Sequence, residues 1–268
     1  MNSDETTSPD PDLHAVFGYA SDRGLRRELN EDSLIAADPI FAIADGMGGH
    51  EAGEVASSIC VRTLGDATIV GEHLPEVSAG DLETLLLEAD RRIREATGGR
   101  AGTTLTGAVL VRNDGSPHWL VFNVGDSRTY RFVNGVLEQV TVDHSEVQEL
   151  VDLGQITADE ALVHPRRHVV TRALGTGNDA EADFWLLPVV PGDRLLLCSD
   201  GLTGEVSDGA IQHILATEAD PQAACAALVQ AALRSGGRDN ITVLVIDAEA
   251  GARSEPAAVT LPGASLAE

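Results

Sequence analysis

Four aspartates stand where apolar runs end. Asp45 follows Phe-Ala-Ile-Ala, Asp200 follows Leu-Leu-Leu-Cys-Ser, and Asp126 follows Leu-Val-Phe-Asn-Val-Gly. Asp239 comes just before Ile-Thr-Val-Leu-Val-Ile. An acid at a strand end is held rigidly at the rim of a sheet. Unpaired carboxylates crowded at one rim repel and raise one another's pKa, so they converge only around cations. An oxygen-only donor set without His or Cys suits hard divalent ions, Mg²⁺ or Mn²⁺. Spacing alone leaves the alternative open, that these are four unrelated turn acids.

Other candidates weigh differently. Asp114-Gly115 and Asp208-Gly209 are turn and helix-start signals. Arg27 to Asp32 reads Arg-Glu-Leu-Asn-Glu-Asp, either a solvated loop or an anion-gripping Arg27 beside acids, Glu31 and Asp32, that order metal-bound water. Gly46-Met47-Gly48-Gly49-His50-Glu51 lacks the third glycine of a dinucleotide fingerprint. Gly175 to Ala180 fits only the loose form, with a strand run after it. Asp10-Pro11-Asp12 imitates an Asp-x-Asp nucleophile motif but has no strand before it. His50, His144 and His164 are isolated, which makes them surface or capping residues. Cys60, Cys198 and Cys225 have no Arg six residues on, so they read as small buried hydrophobes in a reducing, cytoplasmic setting.

The elements that must position these acids follow from periodicity. Strands are expected over His14–Ala20, Pro39–Ala44, Thr104–Arg112, His118–Val124, Thr129–Val133, Val136–Val142, Asp183–Val189, Arg194–Ser199 and Ile241–Ile246. Val133-Asn134-Gly135-Val136 predicts a tight hairpin. Helices are expected over Glu51–Thr68, Asp81–Thr97, Ser207–Ala216 and Pro221–Leu233, with Ser207 as a cap. Consecutive strands with helix pairs before and after predict an α+β fold of antiparallel sheet and helices. Between Asp143 and Gly175 the strand pattern lapses into polar helical pieces, an interruption long enough to suggest function. Residues 1–12 and 249–268 read as disordered tails around one folded unit, 13–248.

Composition narrows the partners. The 268 residues carry 43 acids against 18 basic residues, a net charge of −25. Such a field disfavours nucleic acid and anionic lipid. All the basic residues are arginine, which removes lysine-dependent phosphate loops and Schiff-base chemistry. The acidic N-terminus lacks the pattern of a signal peptide, and no apolar run is long enough for a membrane span. A soluble cytoplasmic protein is expected, with no membrane partner.

Six motifs in order complete the reading: Arg27-x-x-Asn30-Glu31-Asp32, Asp45-Gly46-Met47-Gly48-Gly49-His50, Gly102-Thr103-Thr104, Gly125-Asp126-Ser127-Arg128, Ser199-Asp200-Gly201-Leu202 and Asp239-Asn240-x-Thr242. Together, over residues 14–247, they resemble the metal-dependent type 2C serine/threonine protein phosphatases, most closely the bacterial branch. The resemblance implies a sandwich of two antiparallel sheets flanked by helix pairs, a mobile flap over 143–175, and a two-metal centre of Mn²⁺ or Mg²⁺ at one end. It implies Asp45 as the bridging ligand, Gly46 as a carbonyl ligand, and Asp200 and Asp239 as ligands of the first metal. Glu31 and Asp32 match the acids around the second metal's water, Arg27 the phosphate-binding arginine, and Asp126 with Asp200 a third-metal site. Met47 stands where many eukaryotic relatives carry a His assigned as general acid, and Met cannot donate a proton. The function implied is hydrolysis of phosphoserine and phosphothreonine by a metal-bridging hydroxide, by a monomer acting on phosphoproteins, a Ser/Thr kinase or that kinase's targets. The alternatives are a phosphatase dedicated to one regulator, such as an anti-sigma-factor antagonist, and a non-catalytic metal-binding scaffold.

Overall fold

In the computed structural model, which describes residues 13–48, 52–70, 75–177, 180–250 and 259–262, the apolar runs become strands covered on both faces. In chain order the elements are β1 (Leu13–Asp22), β2 (Asp32–Ala37), β3 (Ile40–Gly48), α1 (Ala52–Gly65), α2 (Ala79–Thr97), β4 (Ala101–Thr103), β5 (Leu105–Asn113), β6 (Ser116–Val124), β7 (Arg128–Val133) and β8 (Val136–Gln139). Then follow α3 (Glu146–Asp152), α4 (Ala158–Leu162), β9 (Asp183–Pro188), β10 (Arg194–Cys198), α5 (Asp200–Thr203), α6 (Asp208–Thr217), α7 (Pro221–Ser235), β11 (Ile241–Ala250) and β12 (Val259–Pro262).

The strands make two antiparallel sheets, one in the order β1-β11-β10-β7-β8 and one in the order β12-β2-β3-β5-β6-β9, with β4 paired to the end of β3. An antiparallel sheet with one wet face alternates polar and apolar residues. These instead read as continuous apolar runs because both faces are packed. Phe41, Ile43, Trp119 and Leu244 fill the layer between the sheets. Ala42, Ala44 and Val109 pack on Val61, Leu64, Leu86 and Ile93 of α1 and α2. Leu196 and Val245 pack on Ile211, Leu215, Ala224 and Leu228 of α6 and α7. Each fully buried large side chain contributes about 1.5–3 kcal/mol, an upper estimate for a compact unfolded state. The layers run helix, sheet, sheet, helix, the expected α+β architecture.

Local signals hold where they are chemical. Ser78 opens α2 with a capping box to Asp81, and the Ser207 hydroxyl accepts from the Ala210 N–H at the start of α6. Asn134 and Gly135 have φ of 52° and 81°, the tight turn between β7 and β8. Asp114, φ 49°, makes the equivalent turn between β5 and β6.

Four differences stand out. β2 was not expected: Asp-Ser-Leu-Ile-Ala-Ala is short and Ala-rich, and small residues are needed because the strand is buried along its whole length. β4, three residues with a central glycine, is too short for any pattern. β8 stops at Gln139 rather than Val142, where the chain turns back and the Val140 N–H bonds the Thr129 carbonyl. The C-terminal stretch from 249 is not wholly without structure: β11 continues to Ala250, and Val259–Pro262 adds to the edge of β2, pairing Val259 with Ala36 and Pro262 with Ser33. Unpaired groups of an edge strand accept such an addition whatever its composition. The N-terminal tail, 1–12, lies outside the described residues. No helix among those described is long and apolar enough to cross a membrane.

Candidate active site

Antiparallel pairing brings the scattered acids to one rim. Asp32 opens β2 and Asp45 nearly closes β3, and the register sets them directly opposite each other. Cys198 pairs with Val243, so the end of β10, leading into Asp200, lies beside the start of β11, which follows Asp239. β6 ends at Val124, opposite Leu105, and delivers Asp126. The carboxylates therefore act on one another. Asp45 is held well above the usual carboxylate range, first by burial and then by Asp32, Asp200, Asp126 and Asp239 in turn. By surface exposure Asp45 is half-buried. Asp32 is pushed up to about 7, chiefly by burial, against hydrogen bonds from Thr242 and Ser199. Asp126 is pushed up to about 8 by burial, Asp200 and Asp143. Burial also raises Glu31, which Arg27 partly offsets.

Polar scaffolding fixes the acids. The Ser199 hydroxyl donates to Asp32 Oδ2 at 2.9 Å and accepts from the Thr242 N–H at 3.0 Å. The Asp45 N–H donates to Thr104 Oγ1 at 3.1 Å, and Thr103 Oγ1 donates to the Asp45 carbonyl at 2.9 Å. Asn240 clamps the Arg27 loop by accepting from the Glu31 N–H at 2.9 Å and donating to the carbonyls of Arg23 and Leu29 at 3.0 and 2.9 Å. Gly46 is required by space: a Cβ there would lie 2.2 Å from the Gly53 carbonyl oxygen. Arg27 Nη2 donates to Asp239 Oδ2 at 2.7 Å, a bond that raises its own pKa, and its side chain stays 48% exposed.

The donor set fits hard cations. Asp32 Oδ1 is buried and has no hydrogen-bond partner among the described residues, a costly state for a carboxylate unless positive charge or ordered water meets it. Those residues contain no ready-made cluster of three or more His, Cys, Asp or Glu ligands. Mg²⁺-like ions take one or two carboxylates and keep several waters.

All eight expected site residues, Arg27, Glu31, Asp32, Asp45, Gly46, Asp126, Asp200 and Asp239, lie at this rim. Asp208 instead starts α6, where it accepts from the Tyr130 hydroxyl at 3.2 Å. Gly49, His50 and the Asp-Pro-Asp motif fall outside the described residues. His164 caps its own loop, accepting from the Arg166 N–H at 3.3 Å. His144 corrects the surface reading: it is 6% exposed, takes the Gly125 N–H on Nδ1 at 3.1 Å, and so has Nε2 left to donate to Asp183 Oδ2, also at 3.1 Å. Its partners are distant in sequence, so nothing local marks it. Ser199 and Asn240 adjoin the candidate acids, and that adjacency was the available signal. His168 was missed as well; its Nδ1 lies 3.8 Å from Asp200 Oδ2.

A cleft of this composition has counterparts. The family model described as protein phosphatase 2C matches residues 26–235. The chain belongs to the protein phosphatase 2C family. The serine/threonine phosphatase stp of Listeria innocua is 37% identical over 249 residues, 88% of this chain and 96% of the relative. The serine/threonine protein phosphatase PstP of Mycobacterium tuberculosis is 42% identical over 248 residues, 87% of this chain and 45% of PstP. A crystal structure of M. tuberculosis PstP aligns with a TM-score of 0.78 at 39% identity, over 88% of this chain and 99% of that one. The PstP catalytic domain in complex with two manganese ions aligns with a TM-score of 0.77 at 37% identity, over 88% and 99%. This chain is accordingly a serine/threonine phosphatase of the 2C type, with the two-sheet sandwich of that family.

Proposed function

We propose that Asp45, the Gly46 carbonyl, Asp200 and Asp239 hold two Mn²⁺ or Mg²⁺ ions, that Glu31 and Asp32 order the surrounding water, and that Arg27 grips the phosphate ester. When bound, such a pair supplies an acidified water at neutral pH and positive charge for the phosphoryl oxygens. The observation that carries this is the convergence of Asp32, Asp200, Asp126 and Asp239 on Asp45, a site that is self-repelling without cations. Arg27 spends one N–H on Asp239 while its side chain stays half exposed, which leaves donors of the kind that bind phosphate in a bidentate manner. The cysteines offer no competing nucleophile: burial pushes the thiols of Cys60, Cys198 and Cys225 each up to about 12, so none is a thiolate at neutral pH. Complete core acids argue against a non-catalytic scaffold.

Asp126 and Asp200 hold a third, weaker ion. The substrates are phosphoserine and phosphothreonine proteins, among them a Ser/Thr kinase or its targets, and the enzyme acts as a cytoplasmic monomer. The test is turnover of a phosphothreonine peptide with Mn²⁺, with Mg²⁺ and in excess chelator. Release of phosphate that stops in chelator and returns with Mn²⁺ is the expected result; undiminished turnover in chelator overturns it.

A further inference from the structure

The edge of the larger sheet is closed by the chain's own C-terminal stretch. β12 lies beyond residues 26–235, the part that the family model matches. It pairs antiparallel with β2 in the register Val259 with Ala36, Thr260 with Ile35, Leu261 with Leu34 and Pro262 with Ser33. The last pair therefore falls one residue from Asp32, which faces Asp45 across the opposite side of the same strand.

β2 is unequally held on its two sides. β3 pairs with all of Asp32–Ala37, while among the described residues β12 alone pairs with the other edge. With β12 seated, Ser33 and Leu34 are 1% exposed and Ile35 and Ala36 not at all. Ser33 carries the contact onward: its hydroxyl shares a 2.9 Å bond with the Ser57 hydroxyl, which donates to the Glu31 carbonyl at 2.6 Å. The same carbonyl accepts from the Gly46 N–H at 3.1 Å. The start of β2, Glu31 and Gly46 are thus one hydrogen-bonded unit, and β12 abuts it.

β12 itself is lightly held. Val259 is half-buried and Thr260 exposed, and the Thr260 hydroxyl meets the end of α1 at Gly65, where a Cβ would lie 3.7 Å from it. Four paired residues gain little more from backbone bonds than ordering them costs, so docking is close to balance. Eight residues join β11 to β12. A chain of that length reaches about 30 Å and keeps the strand near its edge at an effective concentration in the millimolar range. We propose that β12 is a releasable strap: docked, it completes β2 and holds Asp32 and Glu31 in the arrangement that receives the ions; released, it lets the start of β2 fray and weakens metal binding. The edge of β2 is a strand-addition site whose occupant is residues 259–262. The proposal rests on the metal-centre reading and adds a control on it from outside the rim. Coupling is reciprocal, so metal binding at the rim tightens the strap by the same factor.

The test uses the full chain with and without Mn²⁺. In wild type, amide exchange at Thr260, Leu261 and residues 33–36 should slow about fivefold when Mn²⁺ is added, the lower end of typical coupling. β8, the edge strand of the other sheet, should keep its rate. The double variant Thr260→Pro, Leu261→Pro removes two N–H groups from the strap. Its Mn²⁺ affinity in calorimetry should fall about fivefold, with kcat on an aryl phosphate at saturating Mn²⁺ unchanged. A synthetic peptide of residues 256–264, added at millimolar concentration, should restore both the affinity and the slow exchange of β2. Strap exchange that ignores Mn²⁺, wild-type affinity in the double variant, or no recovery with the peptide overturns the strap and leaves the metal centre standing. Absence of Mn²⁺ binding by wild type overturns the metal centre and the strap together.

Discussion

Two arginines meet aspartates at opposite ends of the same strand. Near the end of β11, Arg194 forks onto Asp247 at 2.6 and 2.7 Å and donates to the carbonyls of Leu215, Glu218 and Ala219 at 3.0, 2.6 and 2.6 Å. Its side chain is 9% exposed, and it ties the C-terminal end of α6 to the sheet. Just before β11, Arg27 makes a single 2.7 Å bond to Asp239 in the open. The residue types are identical and the bookkeeping of donors is opposite. A guanidinium whose N–H groups are all taken holds structure, and one with donors to spare holds something else. The same contrast separates the Arg128–Asp143 fork, at 2.7 Å, from the crowded and underdonated acids beside it.

The largest effect belongs to Asp45 and Asp239, acids that crowd one another at the rim. Asp45→Asn or Asp239→Asn should cut turnover roughly a thousandfold if, as proposed, they hold ions that supply several kcal/mol of the barrier lowering. Arg194→Ala should keep its turnover per folded molecule. Calorimetry of Mn²⁺ binding beside rate measurements decides this: wild-type rates in Asp45→Asn would end the contrast between the two ends.

Next come the arginines themselves. Arg194→Ala should lose about 3 kcal/mol of stability, the scale for removing one partner of a largely buried pair. Arg27→Ala should change stability by less than about 1 kcal/mol, because its pair is exposed, yet lower kcat/KM about a hundredfold with Mn²⁺ affinity nearly intact. A fall in metal affinity as large as the fall in kcat/KM would remove Arg27 from the phosphate.

Much of this was legible because the chemistry is written at strand ends. Asp45, Asp126, Asp200 and Asp239 are each marked by the apolar run beside them, and order along the chain did the rest. What joined them was not legible. The Asp32–Asp45 register depends on β2, whose alanines carry no strand signal and are buried on both faces, Ala37 in the cluster with α1 and Ala36 between the sheets. His144 acts through Gly125 and Asp183, partners no local pattern could predict. Val259–Pro262 joins a sheet through backbone pairing, which leaves little trace in side-chain type.

A third effect lies in pH. Asp32 and Asp126 titrate at about 7 and about 8 in the folded chain and Asp45 is raised as well, against about 3.9 when unfolded. Between pH 4 and 8 the folded protein without metal therefore holds protons that the unfolded chain has released. Stability falls across that window as pH rises, by about 1.4 kcal/mol per pH unit for each retained proton. In chelator, Tm should be lower at pH 8 than at pH 5.5, and Mn²⁺ should remove the difference. Arg194, far from this field, gives the control: Arg194→Ala should lower Tm at both pH values alike, while Asp32→Asn should flatten the slope. A Tm in chelator that ignores pH would contradict the repulsion inferred among the acids.

The smallest effect sharpens the comparison within the rim. Asp126 follows a different strand from Asp45, Asp200 and Asp239, and its loop is clamped from the flap side: His144 donates its N–H to the Gly125 carbonyl at 2.9 Å and accepts the Gly125 N–H on its ring. Gly125 has φ of 105°, a backbone state that only glycine adopts without strain, so the position of Asp126 is built in rather than adaptive. In the proposed assignment Asp45, Asp200, Asp239 and the Gly46 carbonyl serve two hard ions with water, and Asp126 serves a weaker third. Asp126→Ala should retain two tight Mn²⁺ ions in calorimetry and lose a weak one. Turnover should fall about tenfold on alkyl phosphates and less on aryl phosphates, whose leaving groups need little protonation. Loss of a tight ion would move Asp126 into the core pair. An equal deficit on both esters would detach it from the leaving group, and the rim would then have two kinds of acid but one kind of role.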